Sequence, residues 1–414
     1  MVRFSLGINY WPRRSAMAMW QRFDPGEIAE DFARIAALGL DTVRFFLRWS
    51  DFQPQPDRID AAMLARLEAL VDLAARAGLR TMPTLFCGHM SGVNWLPEWA
   101  LDRSAPAGRF RTLTEHGEAG CGIGDFYRGA LLEAQLVFAR AAGERLKAHP
   151  AVMAWDLGNE FSNLREPASE RDAADWSRRL CDALEERSAI VVTAGTHGED
   201  LTLDRKLRLS SLCAPYAFAC MHGYSVYSAF ARGRLDVEVV PFLAALAAGF
   251  ARKPVLFSEF GNPTCPPGKR SPFERVALPG EPPLPAISSD DTERAAHACL
   301  SEDEMAGYCA QVLERLHAGG HLGAYWWCWA DYAAELADQP PFDRAPHELS
   351  FGIIRSDGSA KPVAGALQRF AAERRTVLST PAAAFDQAAY YRGLPDSTAS
   401  AYARWVEERP NVAR

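Results

Sequence analysis

Leu38-Gly39-Leu40-Asp41-Thr42 and Ala77-Gly78-Leu79-Arg80-Thr81 are two copies of one joint, 39 residues apart along the chain. In each, an apolar-faced helix ends on a glycine, which takes the left-handed C-terminal position without steric cost. A buried strand then begins. Upstream of the first joint, Asp24 reads as an N-cap, Pro25 as the first helical residue, and Glu27 as the partner in a capping box. Ile28, Phe32 and Ile35 give that helix one apolar face, and Thr42 to Leu47 reads as a buried strand. Upstream of the second, Asp60 caps a helix whose face is Leu64, Leu67, Leu70, Val71 and Ala74, and the strand runs from Arg80 to Phe86. The repeat suits a βαβ unit.

Working outward, six more stretches read as strands: Ser5 to Tyr10, Val152 to Leu157, Ala189 to Ala194, Phe218 to His222, Pro254 to Phe260 and Leu322 to Trp329. Eight strands alternating with helices over this length predict an α/β fold, the closed (β/α)8 or TIM barrel. The barrel is expected over 1–375, and the alanine-rich tail over 376–414 as a helical extension packed on it. Two long interruptions break the rhythm. Cys87 to about Phe126 follows strand three and carries Trp95 and Trp99. Asn262 to Leu300 follows strand seven and is rich in proline, after which Ser301-Glu302-Asp303-Glu304 caps the next helix. Both leave the C-terminal ends of strands, the face on which barrels build active sites, and long loops there tend to be functional.

Composition narrows the function. The 414 residues are 48% apolar and 23% charged, with a net charge of -7. That balance argues against nucleic-acid or anionic-membrane partners, which need basic surfaces. No segment approaches the roughly 18 to 20 apolar residues that span a bilayer. The residues before the first strand lack the features of a signal peptide, so a cytoplasmic location is expected. The nine cysteines include no C-x-x-C pair. They are expected to be reduced, mostly buried thiols rather than ligands of a structural zinc.

Two of the apolar strands end in a carboxylate. Val152-Met153-Ala154-Trp155-Asp156-Leu157-Gly158-Asn159-Glu160 is candidate strand four, and Lys253-Pro254-Val255-Leu256-Phe257-Ser258-Glu259-Phe260-Gly261 is candidate strand seven. One such glutamate reads equally as a loop salt bridge. Two, on strands facing each other across a barrel mouth, suit cleavage of a glycosidic bond, which needs one carboxyl to protonate the leaving oxygen and another to attack or activate water. Arg44, between Val43 and Phe45 in a buried strand, needs a charged partner.

With these motifs the chain resembles the clan A glycoside hydrolases, most closely family 5 and its β-mannanase and β-mannosidase branch. His149-Pro150-Ala151 through Glu160 is similar to the strand-four motif of that family, and Lys253 to Gly261 to its strand-seven motif. The resemblance runs from Leu6 to about Arg369. It departs in the two interruptions, the tail, and Phe161, where many relatives have proline. It implies Glu160 as acid/base and Glu259 as nucleophile of a retaining double displacement, with no cofactor and no metal. It further implies that Arg44 keeps the nucleophile ionised and Asn159 donates to the sugar 2-hydroxyl. Tyr224 would bond the nucleophile, His222 would orient the acid/base, and His89 would contact a sugar hydroxyl. In Leu322 to Trp329, strand alternation sets Tyr325, Trp327 and Trp329 on one face, and the resemblance makes Trp327 the platform under the sugar. Trp95, Trp99, Tyr10 and Trp11 are further candidates for subsite walls.

The implied substrate is a β-linked oligosaccharide or glycoside, a β-mannoside first, with the interruptions closing one end of the cleft. β-Glucosidase, β-galactosidase or furanosidase specificity and a non-catalytic sugar-binding barrel are the alternatives. A metal-dependent barrel hydrolase would show His-x-His at strand one, where Asn9-Tyr10-Trp11 stands. A flavin or phosphate barrel would show glycine-rich turns after strands seven and eight, where Asn262-Pro263-Thr264 and Ala330-Asp331-Tyr332 stand. Neither oligomeric state nor linkage is written in the sequence.

Overall fold

The computed structural model describes residues 2–265, 299–378 and 385–409. Most of the proline-rich second interruption lies outside the described residues. Eight strands form the centre: β1 (Ser5–Tyr10), β2 (Thr42–Arg48), β3 (Arg80–Cys87), β4 (Trp155–Asn159), β5 (Val192–His197), β6 (Ala219–His222), β7 (Val255–Phe260) and β8 (Gly323–Trp326). They close in the order β1-β8-β7-β6-β5-β4-β3-β2, and every neighbouring pair is parallel. Around them lie α1 (Pro25–Ala37), α2 (Ala61–Arg76), α3 (Gly129–Leu146), α4 (Glu170–Glu185), α5 (Val239–Ala251), α6 (Glu302–Ala318) and α7 (Pro362–Ala372). The protein is a (β/α)8 barrel. Between β5 and β6 the usual helix is replaced by two single turns, Glu199–Thr202 and Leu209–Leu212.

Local chemistry accounts for the boundaries. Asp24 caps α1 by accepting from the Gly26 and Glu27 N–H groups at 2.9 and 3.1 Å. The expected capping box is not what Glu27 makes; its carboxylate accepts from the Arg14 N–H at 3.3 Å. A carboxylate already at the cap repels a second. At α6 the cap is a neutral serine and the box is complete: Ser301 accepts from Glu304 N–H at 3.2 Å and donates its own N–H back to Glu304 at 2.7 Å. Inside the barrel, Met82, Ala154, Phe218, Cys220, Leu256 and Tyr325 form a core separate from the strand–helix core outside. The site is built above this plug.

Several expectations are corrected. β5 starts at Val192 rather than Ala189, and β8 stops at Trp326. Alternation therefore ends before Trp329, which lies under Arg34 of α1, 5.6 Å from the guanidinium to the ring centre, and does not share the face of Trp327. The first interruption is not loop but sheet. His89–Met90, Val93–Trp95, Arg111–Thr114 and Gly117–Ala119 form four strands, and Leu101–Pro106 pairs with Cys121–Ile123. These strands are too short to show a period. The nine cysteines are not all thiols: Cys265 and Cys299 form a disulfide, leaving seven free. Thr264 bridges Leu300 as a parallel pair, which brings the two cysteine Cα atoms to 4.6 Å across a 34-residue separation. Sequence spacing cannot show that approach.

The tail forms two helices, α8 (Gln387–Arg392) and α9 (Asp396–Glu407). Its rings pack on α5, with Tyr390 5.1 Å from Phe250 and Tyr402 5.0 Å from Phe242. Its polar ends reach the barrel loops: Tyr391 OH donates to Asp200 O at 2.9 Å and Tyr402 OH to Asp236 at 2.6 Å. Among the described residues no helix is long and apolar enough to cross a membrane.

Candidate active site

Strand alternation on β2 turns Val43 and Phe45 to the helices and Arg44 into the barrel. Arg44 is fully buried and makes five hydrogen bonds. Nε and Nη2 donate to Asp156 Oδ2 at 2.9 and 2.8 Å, Nη1 donates to Asn9 Oδ1 and Glu259 Oε2, both at 2.9 Å, and Nη2 donates to Asn159 Oδ1 at 2.9 Å. Burial disfavours its charge, but Asp156 and Glu259 more than offset this, so the cation is retained. Asp156 also accepts from Thr84 Oγ1 at 2.8 Å and the Gly195 N–H at 2.7 Å. A Cβ on Gly195 would lie 2.6 Å from Gly158 O and 2.9 Å from Arg44 Nη2. Glycine is there because the Gly158 carbonyl and the guanidinium both lie against the backbone. The single fork thus ties together β1, β2, β4 and β7.

The upper strand ends depart from regular pairing where the functional side chains stand. Register shifts fall between Asp156 and Asn159 on β4, between Met221 and His222 on β6, and between Phe257 and Phe260 on β7. Such bulges re-aim side chains and cluster near active sites. Glu160 follows β4 in the left-handed region, φ 46° and ψ 42°, a conformation costing a non-glycine residue about 1–3 kcal/mol.

Glu259 accepts from Arg44 on one oxygen and from the Tyr224 hydroxyl on the other. Glu160 faces it: an oxygen of each carboxyl and a His222 nitrogen lie within 4.8 Å of one another. His222 Nδ1 is 3.3 Å from Glu160 Oε1 and 3.7 Å from Glu259 Oε2. His89 Nε2 is 3.8 Å from Glu160 Oε2, with its Nδ1 held by Asn94 Oδ1 at 2.8 Å. Asn159 Nδ2 donates to His89 O at 2.9 Å.

The two carboxyls differ in acidity. Burial first, and repulsion from Glu259 second, push Glu160 well above the usual carboxylate range. Burial also raises Glu259, but Arg44 and Tyr224 hold it back. The first proton therefore belongs on Glu160 and the charge on Glu259, the asymmetry a shared acid and nucleophile require. Burial lowers both histidines, His89 to about 3 and His222 well below its ordinary value, so both are neutral. Glu160, His222 and Glu259 are the group among the described residues whose atoms could converge on a metal ion. The Arg44 guanidinium already neutralises Glu259 and would repel a cation there.

A cavity of about 460 Å3 opens over this floor, and Glu160, Glu259, His89, Asn159, His222, Tyr224 and Trp327 all line it. Arg44 lies beneath it. Tyr10, Trp11, Trp95 and Trp99 do not line it. Tyr10 is buried with its hydroxyl on Asp31 at 3.0 Å, and Trp11 stacks on Phe46 at 5.4 Å. Trp95 donates to Met90 O at 3.3 Å within the first interruption, and Trp99 donates to Gln53 O at 3.0 Å, fastening the interruption to the barrel. Several further residues belong to the site. Asn9 and Asp156 were open to the argument used for Arg44, that a polar group in a buried strand needs a partner. Phe110 from the first interruption, Tyr227, His347 and Glu348 from loops, and Pro395, Asp396, Thr398 and Ala399 from the tail also line the cavity, and no local signal marks them.

No family model and no curated protein matches the sequence. Solved structures do. The exo-beta-1,4-mannosidase Op5Man5 from Opitutaceae bacterium strain TAV5 is 26% identical with a TM-score of 0.69, over 89% of this chain and 59% of its own. The chain thus spans less than two thirds of that protein. A GH5_18 variant from Streptomyces cattleya, crystallised with Manb1-4GlcNAc, is 21% identical with a TM-score of 0.72, over 97% of this chain and 90% of its own. GH5_18 from Bifidobacterium longum subsp. longum is 22% identical with a TM-score of 0.70, over 92% and 81%. In fold, the chain resembles the clan A glycoside hydrolases of family 5, on their mannosidase branch.

Proposed function

We propose that this protein is a retaining β-glycosidase acting on β-mannosides. The observation that carries the reading is the pair Glu160 and Glu259, with oxygens within 4.8 Å across the barrel mouth. Retention uses carboxyls about 5–5.5 Å apart, whereas inversion needs about 6.5–9.5 Å to admit a water. The donors are divided to match. Glu259, bonded by Arg44 and Tyr224, is the ionised nucleophile that attacks the anomeric carbon. Glu160, raised in pKa and beside His222, protonates the leaving oxygen, then removes a proton from the water that releases the sugar. Asn159 has a second amide N–H free to meet the 2-hydroxyl, and Trp327 supplies an aromatic wall. The exo-beta-1,4-mannosidase Op5Man5 and the Streptomyces cattleya complex with Manb1-4GlcNAc favour mannose at the cleaved position. A short oligosaccharide is the natural substrate in this reading.

The test is a panel of aryl β-glycosides (mannoside, glucoside, galactoside, xyloside, arabinofuranoside) with the wild type and Glu259→Ala. Turnover of the mannoside, lost in the variant and partly restored by azide as the inverted glycosyl azide, is expected. Preference for another sugar would replace the mannoside assignment. Silence of the wild type on every glycoside, with sugar still bound, would favour a binding barrel.

A further inference from the structure

Glu348 is a third carboxyl in the cavity, and double displacement gives it no task. It sits in the turn Pro346–Ser350 after β8 and is 7% exposed. Its Oε2 accepts from Ser91 Oγ at 2.9 Å. Its Oε1 is 3.4 Å from Tyr227 OH, but that hydroxyl lies closer to His347 Nε2, at 2.9 Å. A phenol has one proton to give; given to Glu348 Oε1, it leaves the Tyr227 oxygen to accept from His347 Nε2, and Trp327 bonds the carboxyl as well. His347 Nδ1 is buried without a hydrogen-bond partner among the described residues. A carboxylate has about four lone-pair sites, so Glu348, bonded by Ser91, Tyr227 and Trp327, keeps acceptor capacity toward the cavity it lines. Burial above all raises Glu348 to about 7, so near neutrality it both accepts and donates.

Its place in the cavity says which part of a sugar it meets. Tyr227 packs on Tyr224 at 5.4 Å, and Tyr224 bonds the nucleophile, so Glu348 belongs to the Glu259 side. Ser91 comes from the first interruption, and its bond to Glu348 shuts the cavity between the loops after β3 and β8. The opposite side, past Glu160, is walled by the turn Glu199–Thr202 and by the tail. A leaving group protonated by Glu160 departs that way. The sugar being attacked therefore has its anomeric carbon at Glu259 and its far end toward Glu348.

We propose that Glu348 is a specificity-determining residue: it binds the hydroxyls on carbons 4 and 6 of the terminal sugar and, with Ser91, ends the cavity behind that one residue. The two hydroxyls are spaced for two-pronged donation to a carboxylate, a strong and directional contact. A chain extended through carbon 4 would lose that contact and strike the closed end, so the enzyme removes single terminal sugars. This rests on the glycosidase reading above.

The test compares wild type, Glu348→Gln and Glu348→Ala on 4-nitrophenyl β-mannoside and on its 4-deoxy and 6-deoxy forms. Glutamine keeps the shape, which separates binding from any folding defect of the alanine variant. On the parent glycoside, kcat/KM is expected to fall about 10- to 100-fold in Glu348→Ala, the worth of a hydrogen bond to a charged group, and less in Glu348→Gln. On a substrate lacking a contacted hydroxyl, the wild type itself falls and the variants follow it to within about twofold, the tolerance of independent effects. Equal losses on all three substrates, or none on the parent, overturn the assignment. If no glycoside is turned over, the glycosidase reading fails separately. Calorimetric titration of mannose and its two deoxy forms then decides the role of Glu348: binding weakened by Glu348→Gln for mannose alone supports it, and equal or absent binding overturns it.

Discussion

Tyr224→Phe tests the electrostatic design of the site most directly. Glu259 accepts from Arg44 Nη1 at 2.9 Å on one oxygen and from the Tyr224 hydroxyl on the other. The Tyr224 ring is held by Tyr227 at 5.4 Å and Phe351 at 6.1 Å, so phenylalanine keeps its position and only the hydroxyl is lost. A hydrogen bond to a charged group is worth about 1.5–3 kcal/mol, or about 1–2 pKa units at 1.36 kcal/mol each. The bond favours the carboxylate, so its loss raises the pKa of Glu259. With Glu259 as the proposed nucleophile, the acid limb of kcat/KM follows its ionisation and should move up by about 1–2 units. The alkaline limb requires protonated Glu160, whose pKa is raised by burial and by the Glu259 charge. It should stay in place, because Glu259 is ionised on both sides of that step. The two limbs belong to the coupled pair, and the active window narrows from the acid side. The assay is initial rates of aryl glycoside cleavage from pH 4 to 9. An acid limb that does not move, with the rate merely scaled down, would refute the assignment of Tyr224 to the ionised nucleophile.

Arg44→Met should leave Asp156 and Glu259 buried without their cation and cost about 3–5 kcal/mol of folding stability, read from urea unfolding; Arg44→Lys should recover part of it. Under denaturing, non-reducing conditions seven thiols should react with a maleimide, and nine after reduction; nine before reduction would remove the Cys265–Cys299 bond. Ala399→Trp, at the tail's edge of the cavity, should lower kcat/KM for a disaccharide about 10-fold or more, as overpacking by 1–3 kcal/mol does, and spare a glycosyl fluoride. Equal effects on both would place the tail outside the leaving-group path.

The barrel was legible because its units are local. Each repeats a cap, an apolar helical face, a glycine stop and an apolar strand, and those signals need only neighbours in sequence. Glu160 and Glu259 were legible for the same reason: each ends an apolar stretch, and strand order in a barrel fixes which ends face each other. Arg44 announced its need for a partner by its burial between Val43 and Phe45, although the partner that bonds it twice, Asp156, had to be seen. The proposed chemistry came by resemblance to a family rather than from any period or spacing.

Other features depended on contacts between distant segments, which no local pattern encodes. The left-handed backbone at Glu160 and the bulges at Asn159, His222 and Glu259 set where the side chains aim. The end of β8 at Trp326 sent Trp329 away from the cavity while leaving Trp327 in it. Glu348 meets Ser91 across 257 residues, and the tail meets the loop after β5 across 191. Sequence by itself determined the barrel and placed the two carboxylates at its mouth, because those follow from local hydrophobic pattern and strand order. Tertiary structure alone decided the shape of the cavity and its closed end, because these are set by side chains from loops and a tail that meet only after the barrel has closed.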